Sequence, residues 1–465
     1  MIYTPKSGHM KDDCMIYHDG VFYLFAMFHK DDSDKYNNVH LATSVDGVHF
    51  EDRGCVVEDF PDCIWAMKVY KGKDAFYMNS GSFTPCGKQA MLKFWRSENL
   101  IDWEYMQNLD IVSPDLDNER IRLDCMNVVE KDGKYFGYAT GQYGFFKSDD
   151  GVNWEISKAN FDYFPFPEYN TALGGFEIAD CIETDGKFYM FCGGFGHLGT
   201  DGYGVFVYES ENPQGPFRPH LPNYRINGTS GRWVNIWERC FKVDGRYLAN
   251  NYMYDGYTME YGKVYLPPIK RVEKDEMGLH LEWWEKNDAL YGRLFSKQGS
   301  LSCEAQAKSV LDDAPDKCEI SEKLSLPDDA CVIDFDITLS ENQFTRYSAG
   351  GFYLEKDENE GTAVIFDTYG RVDICRVKDG KIIKTEDSVG YGSCAPYYFE
   401  GNKTYRVKIL QRLGMFEIYV DGRYLQTFNN AYERDMTSQA FKAFAALSLR
   451  RRCVVENIEI FEMDI

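Results

Sequence analysis

Apolar and polar residues alternate in short runs through the first 250 residues, and two patterns recur. The first is a strand, a Gly-containing turn and an aromatic-rich strand: MIYHDGVFYLF (15–25), MKVYKGKDAFYM (67–78), NVVEKDGKYFGY (127–138), CIETDGKFYMF (181–191) and CFKVDGRYLANNY (240–252). Such turns between β-branched and aromatic runs mark antiparallel hairpins. The second pattern is a Ser, a polar turn and an aromatic: ATSVDGVHFED (42–52), WRSENLIDWEY (95–105), FKSDDGVNWEI (146–156) and YESENPQGPF (208–217), with no clear copy in the fifth unit. Units of roughly 40 to 60 residues, each worth about four strands, predict a closed propeller. Five hairpins give five blades, over residues 1–290. From 300 to 465 the repeat disappears, and strands such as CVIDFDITL (331–339), GTAVIFDTYG (361–370) and FEIYVDGRYLQTF (416–428) predict a β-sandwich. The Gly and polar residues of 283–300 suit a short connector.

Composition supports an all-β chain of two domains: 465 residues carry 33 Tyr, 32 Phe and 8 Trp, and long helix-favouring runs are scarce. The formal charge of −23 disfavours nucleic acid and anionic membranes as partners and leaves neutral ligands as the more plausible ones. No apolar run approaches the length of a membrane helix, and Met1 to Asp12 has no signal-peptide pattern, so a soluble, untargeted protein is expected. Fourteen cysteines without a C-x-x-C pair suit a reducing cytoplasm rather than a disulfide or zinc framework. The eight His show no metal spacing, and neither a metal nor a cofactor is expected. Gly194, Gly196 and Gly199 match a dinucleotide fingerprint formally, but TDGYGVFVYES (200–210) reads as turn and strand where that motif needs a helix.

The first strand of each propeller blade lines the central channel, so acids at its start converge on one mouth. Counting back from the hairpin Gly places Asp12 eight residues before Gly20, Asp124 nine before Gly133 and Glu177 nine before Gly186. Blade five has Ile236 at that distance from Gly245, so acids are not a property of the repeat itself. A lone Asp before a strand is ordinarily a turn residue; three in shared register call for chemistry. Two carboxylates flanking a glycosidic bond hydrolyse it, one as proton donor and one as nucleophile or base. A third can hold sugar hydroxyls. Glu177 lies among Gly174, Gly175, Phe176 and Ile178, a weakly polar setting that favours a protonated acid, whereas Asp12 sits between Lys11 and Asp13, a charged setting suited to an ionised group. Asp13 is the alternative to Asp12, because Asp13-Cys14-Met15 echoes Asp124-Cys125-Met126. Trp65 and Trp237 are candidates for stacking on a sugar face, and Arg122 and His197 for binding its hydroxyls. Glu238 is a rival acid or an ion-pair partner for Arg239 or another cation.

These segments resemble the five-bladed propeller glycosidases of glycoside hydrolase family 32 (invertases, levanases, fructanases), with family 43 (arabinosidases, xylosidases) a close second. KDDCMIYHDG (11–20), RLDCMNVVEKDG (122–133) and FEIADCIETDG (176–186) match the Asp-Pro, Arg-Asp-Pro and Glu-Cys-Pro segments of family 32, although no Pro follows any of the three acids here. ATSVDGVHFE (42–51) resembles the family's blade-one ending and NSGSF (79–83) its Ser-Gly-Ser segment. The resemblance implies a retaining β-fructofuranosidase with Asp12 as nucleophile, Asp124 as transition-state stabiliser and Glu177 as acid/base. A family 43-like enzyme would be an inverting arabinofuranosidase or xylosidase with Asp12 as general base. A carbohydrate-binding propeller whose acids only hold hydroxyls is the reading from another class.

Overall fold

Four of the five hairpins turn on an Asp-Gly pair in which both residues take positive φ: Asp19 (49°) and Gly20 (81°), Asp132 (53°) and Gly133 (74°), Asp185 (54°) and Gly186 (74°), Asp244 (50°) and Gly245 (82°). These are the dihedral signs of a type I′ turn, whose twist matches that of the flanking strands. Blade two closes with a longer turn, in which the Gly72 N–H donates to the Ala75 carbonyl at 2.8 Å. The Ser pattern has an equally local cause. In blade one the Gly47 N–H donates to Ser44 Oγ at 2.9 Å, and the Val48 and His49 N–H groups donate to Asp46 Oδ1. Ser148 and Asp150 repeat that arrangement in blade three, as do Ser97 and Asn99 in blade two. Short polar side chains thus satisfy the amides exposed where the third strand ends.

The computed structural model describes residues 1–465 apart from 34, 82–89, 112–123, 141–143, 163–175, 196–201, 221–224, 230–231, 258–261, 305–316, 342–348, 368–369 and 390–398. The regular structure among the described residues is almost all strand. Blade one is a four-stranded antiparallel sheet of His9–His18, Val21–His29, Asn38–Ser44 and Glu51–Val57, and blades two, three and four follow in chain order. The inner strands His9–His18, Trp65–Lys71, Asn127–Lys131, Phe176–Thr184 and Asn235–Val243 each lie against the next, and the fifth lies against the first. Five blades therefore close a ring. The N-terminal segment seals the joint: the Ile2 N–H donates to the Leu266 carbonyl and the Leu266 N–H to the Tyr3 carbonyl, both at 2.8 Å.

Blade five does not end at its own edge. Its outermost strand, Gly278–Trp283, pairs with Arg423–Asn429 of the C-terminal region through Glu282 and Arg423, which makes one eleven-stranded sheet from blade and sandwich. A second, seven-stranded sheet packs on the sandwich half, and Phe335, Phe352, Phe366 and Phe444 fill the layer between. The Lys270 ammonium lies 2.7 Å from Glu417 Oε1 across the junction, with both side chains fully buried. The segment that suited a connector is mostly strand. Only Glu285–Leu290 forms a short 3-10 turn, and Tyr291–Cys303 pairs along Cys453–Met463 as an outer strand of the sandwich. Its apolar alternation is weak because most of its residues are exposed on both faces.

Candidate active site

A backbone irregularity recurs at the mouth end of the inner strands. In blade one Lys11 pairs with Met27 and Cys14 with Phe25, so Asp12 and Asp13 together face one residue of the neighbouring strand. Ala66 and Met67 do the same in blade two, and Trp237 and Glu238 in blade five. Blade four has a one-residue version at Ala179, between the pairs Ile178–Cys192 and Asp180–Phe191. Asp12, Ala66 and Trp237 all have positive φ, at 47°, 49° and 59°. Such bulges bend the strand and re-aim side chains, and they concentrate at barrel rims and active sites. Here each one breaks the alternation that would otherwise send successive side chains to opposite faces.

Asp12 and Glu177 meet around two tyrosines of blade five. The Tyr252 hydroxyl donates to Asp12 Oδ1 at 2.5 Å, and Trp237 Nε1–H donates to Glu177 Oε2 at 2.8 Å. Burial, reinforced by the charges of Asp12 and Glu177, holds the Tyr252 and Tyr254 hydroxyls well above the usual phenol range. Tyr36, from blade one, is pushed up to about 12 by burial and by Asp12. Both carboxylates are nearly inaccessible, at 4% and 3% exposure, so their charges act with little screening by water.

Asp13 turns to the other side of the bulge. Asn250 Nδ2–H donates to its Oδ2 at 2.8 Å, and burial raises its carboxyl to about 7 even though Arg239 lies close enough to oppose the shift. Asp124 stands fully buried just before the inner strand of blade three. The Asn79 side chain grips that segment from blade two: its Oδ1 accepts from the Met126 N–H at 2.6 Å and its Nδ2 donates to the Met126 carbonyl at 2.8 Å. Trp237 presents its ring face to the Arg239 guanidinium, 4.0 Å from the ring centroid, and its edge to Glu177. Trp65 is half-buried with the Lys11 ammonium 5.7 Å from its ring centroid. Glu238 points toward Asn227 and Lys270 at the sandwich junction, where burial raises its carboxyl to about 8. Arg122 and His197 lie outside the described residues.

Further buried polar residues surround these acids, and the hairpin pattern does not reveal their roles. The Lys68 ammonium reaches from blade two to Asp180 of blade four and to the Cys240 carbonyl of blade five, while the Cys240 N–H also donates to Asp180 Oδ2 at 2.7 Å. Arg239, Asn127, Asn250 and Tyr252 complete this buried polar layer. Charged side chains inside strands that otherwise read as apolar were the available signal, since buried charges are kept only with partners. Among the described residues no group of three or more His, Cys, Asp or Glu could hold a metal ion.

A propeller followed by a β-sandwich is also the architecture of family 32 glycoside hydrolase structures. Solved structures similar to this chain include the Bombyx mori family 32 β-fructofuranosidase, with TM-score 0.67, 13% identity, and coverage of 99% of this chain and 92% of that one. The exo-inulinase of Aspergillus awamori gives TM-score 0.65 at 14% identity, covering 99% and 97%. The fructan 1-exohydrolase IIa of Cichorium intybus, solved with 1-kestose, gives 0.64 at 13%, covering 98% and 97%. No protein-family model matches the chain, and no curated protein matches it by sequence. At these identities the likeness is one of fold.

Proposed function

We propose that the protein is a glycoside hydrolase that removes terminal β-fructofuranosyl units from oligosaccharides by a retaining double displacement. The observation that carries this reading is the buried pair Asp12 and Glu177, each with one oxygen fixed by a neutral donor, Tyr252 for Asp12 and Trp237 for Glu177. Fixing one oxygen by a hydrogen bond aims the other at the substrate, as a nucleophile requires. Asp12 attacks the anomeric carbon while Glu177 gives its proton to the departing glycosidic oxygen. Water, deprotonated by Glu177, then releases the sugar from Asp12. Asp124, entering from blade three, binds ring hydroxyls. Asp12 suits the nucleophile better than Asp13, because Asp13 is turned to Asn250 and is partly protonated near neutrality.

Similar structures were solved with sucrose, in a variant of the Bombyx mori enzyme, and with 1-kestose, in the Cichorium intybus enzyme, which makes these the first substrates to offer. The twelve described cysteines are all free, which suits a reducing compartment such as the cytoplasm. The test is release of fructose from sucrose, 1-kestose and inulin, beside chromogenic arabinofuranosides and xylosides, with the product anomer followed by NMR. β-Fructose formed first supports retention. Turnover of arabinosides or xylosides alone, with an inverted product, would transfer the chain to the family 43-like reading. Binding without turnover of any of them would make it a carbohydrate-binding propeller.

A further inference from the structure

Arg239 follows the blade-five bulge and is 1% exposed. Its Nη1 donates to Asn127 Oδ1 and to the Ala179 carbonyl, the latter at 2.6 Å, and its Nη2 donates to Cys125 Sγ at 2.9 Å. The flat face of the guanidinium lies on the Trp237 ring. Cys125 follows Asp124, Ala179 lies two residues after Glu177, and Trp237 donates to Glu177. The charge of Arg239 also acts on Asp13, the neighbour of Asp12. Each of the three acids is therefore within two residues of a group that Arg239 touches or polarises.

Building on the hydrolase reading, we propose that Arg239 is a positioning residue that locks the acid-bearing segments of blades three and four at a fixed spacing around Trp237. The guanidinium suits this task and an ammonium does not. Its planar fork serves a carbonyl, an amide oxygen and a thiol at once, and its face stacks on an indole. Asp13 from blade one and Asp180 from blade four, the latter paired with Lys68 of blade two, are the charged groups around it, together with the thiols of Cys14 and Cys125. Burial works against the charge of Arg239, and the nearby Asp180 carboxylate favours it.

The test is Arg239→Lys in the full chain, with fructose release, thermal melting and the pH–rate profile measured beside the wild type. Arg239→Lys keeps the charge and loses the fork and the stack. Displacing reacting groups by about an ångström costs on the order of 100-fold, so kcat should fall by about that factor with KM changed less than about threefold and the pH–rate profile displaced. Cys125→Val, close in volume but without an acceptor, is the milder second variant and should lower kcat about fivefold with KM unchanged. It decides the matter if Arg239→Lys does not fold. Wild-type turnover tests the hydrolase reading first, and a wild type inactive on every substrate overturns both readings. An active wild type whose folded variants keep its kcat and pH profile overturns only the positioning role.

Discussion

The indole N–H of Trp237 donates to Glu177 Oε2 at 2.8 Å across the seam between blades five and four. Trp237 holds that place from a bulge, at φ 59°, with its ring face covered by Arg239. Trp237→Phe keeps most of the ring and removes the donor. A hydrogen bond to a charged group contributes about 1.5–3 kcal/mol, so kcat should fall about 10- to 100-fold. Steady-state kinetics on fructose release check this expectation.

The two buried tyrosines should differ. Tyr252 donates directly to Asp12, whereas Tyr254 meets the acids only through their charge and through Tyr252. Tyr252→Phe should lower kcat/KM by about tenfold or more, and Tyr254→Phe by clearly less. Equal effects would mean that the hydroxyl–carboxylate bond does not orient Asp12.

Asp13 links stability to pH. Its carboxyl rises from 3.8 to about 7 on folding, through burial, so between these values the folded chain holds a proton that the unfolded chain has released. Stability from this group is thus full below the unfolded value and declines as pH rises toward about 7, then levels. Asp13→Asn should flatten that decline and raise the melting temperature at pH 8, because the amide still accepts from Asn250 and carries no charge. Turnover should survive in Asp13→Asn and be lost in Asp12→Asn. Loss in Asp13→Asn alone would exchange their roles.

The junction with the sandwich carries a buried ion pair, Lys270 and Glu417, with Tyr419 also donating to Glu417 at 2.7 Å. Lys270→Met strands the carboxylate and should cost about 3–5 kcal/mol in urea unfolding. Combining it with Glu417→Leu should restore most of that loss, since the charge that needed a partner is gone.

Local chemistry made much of this molecule readable. Asp-Gly pairs can close hairpins only with a particular turn geometry, and Ser with Asp or Asn caps the third strand wherever the second pattern occurs. Asp12 and Glu177 stand out in the sequence because their distance from the hairpin Gly counts along a strand. Counting could not assign their partners. Tyr252 lies 240 residues from Asp12 and Trp237 60 from Glu177, and no count along a strand links residues that far apart. The junction escaped notice for a related reason: a strand exposed on both faces, such as Tyr291–Cys303, has no alternation to read.

The sequence by itself determined the hairpins, their number and the position of three acids at the head of their strands, because turn geometry and strand period are properties of neighbouring residues. Only the tertiary structure decided which acid of the Asp12–Asp13 pair faces Tyr252 and which faces Asn250. A two-residue bulge breaks the strand period, and the direction of each side chain is then set by the blade beside it.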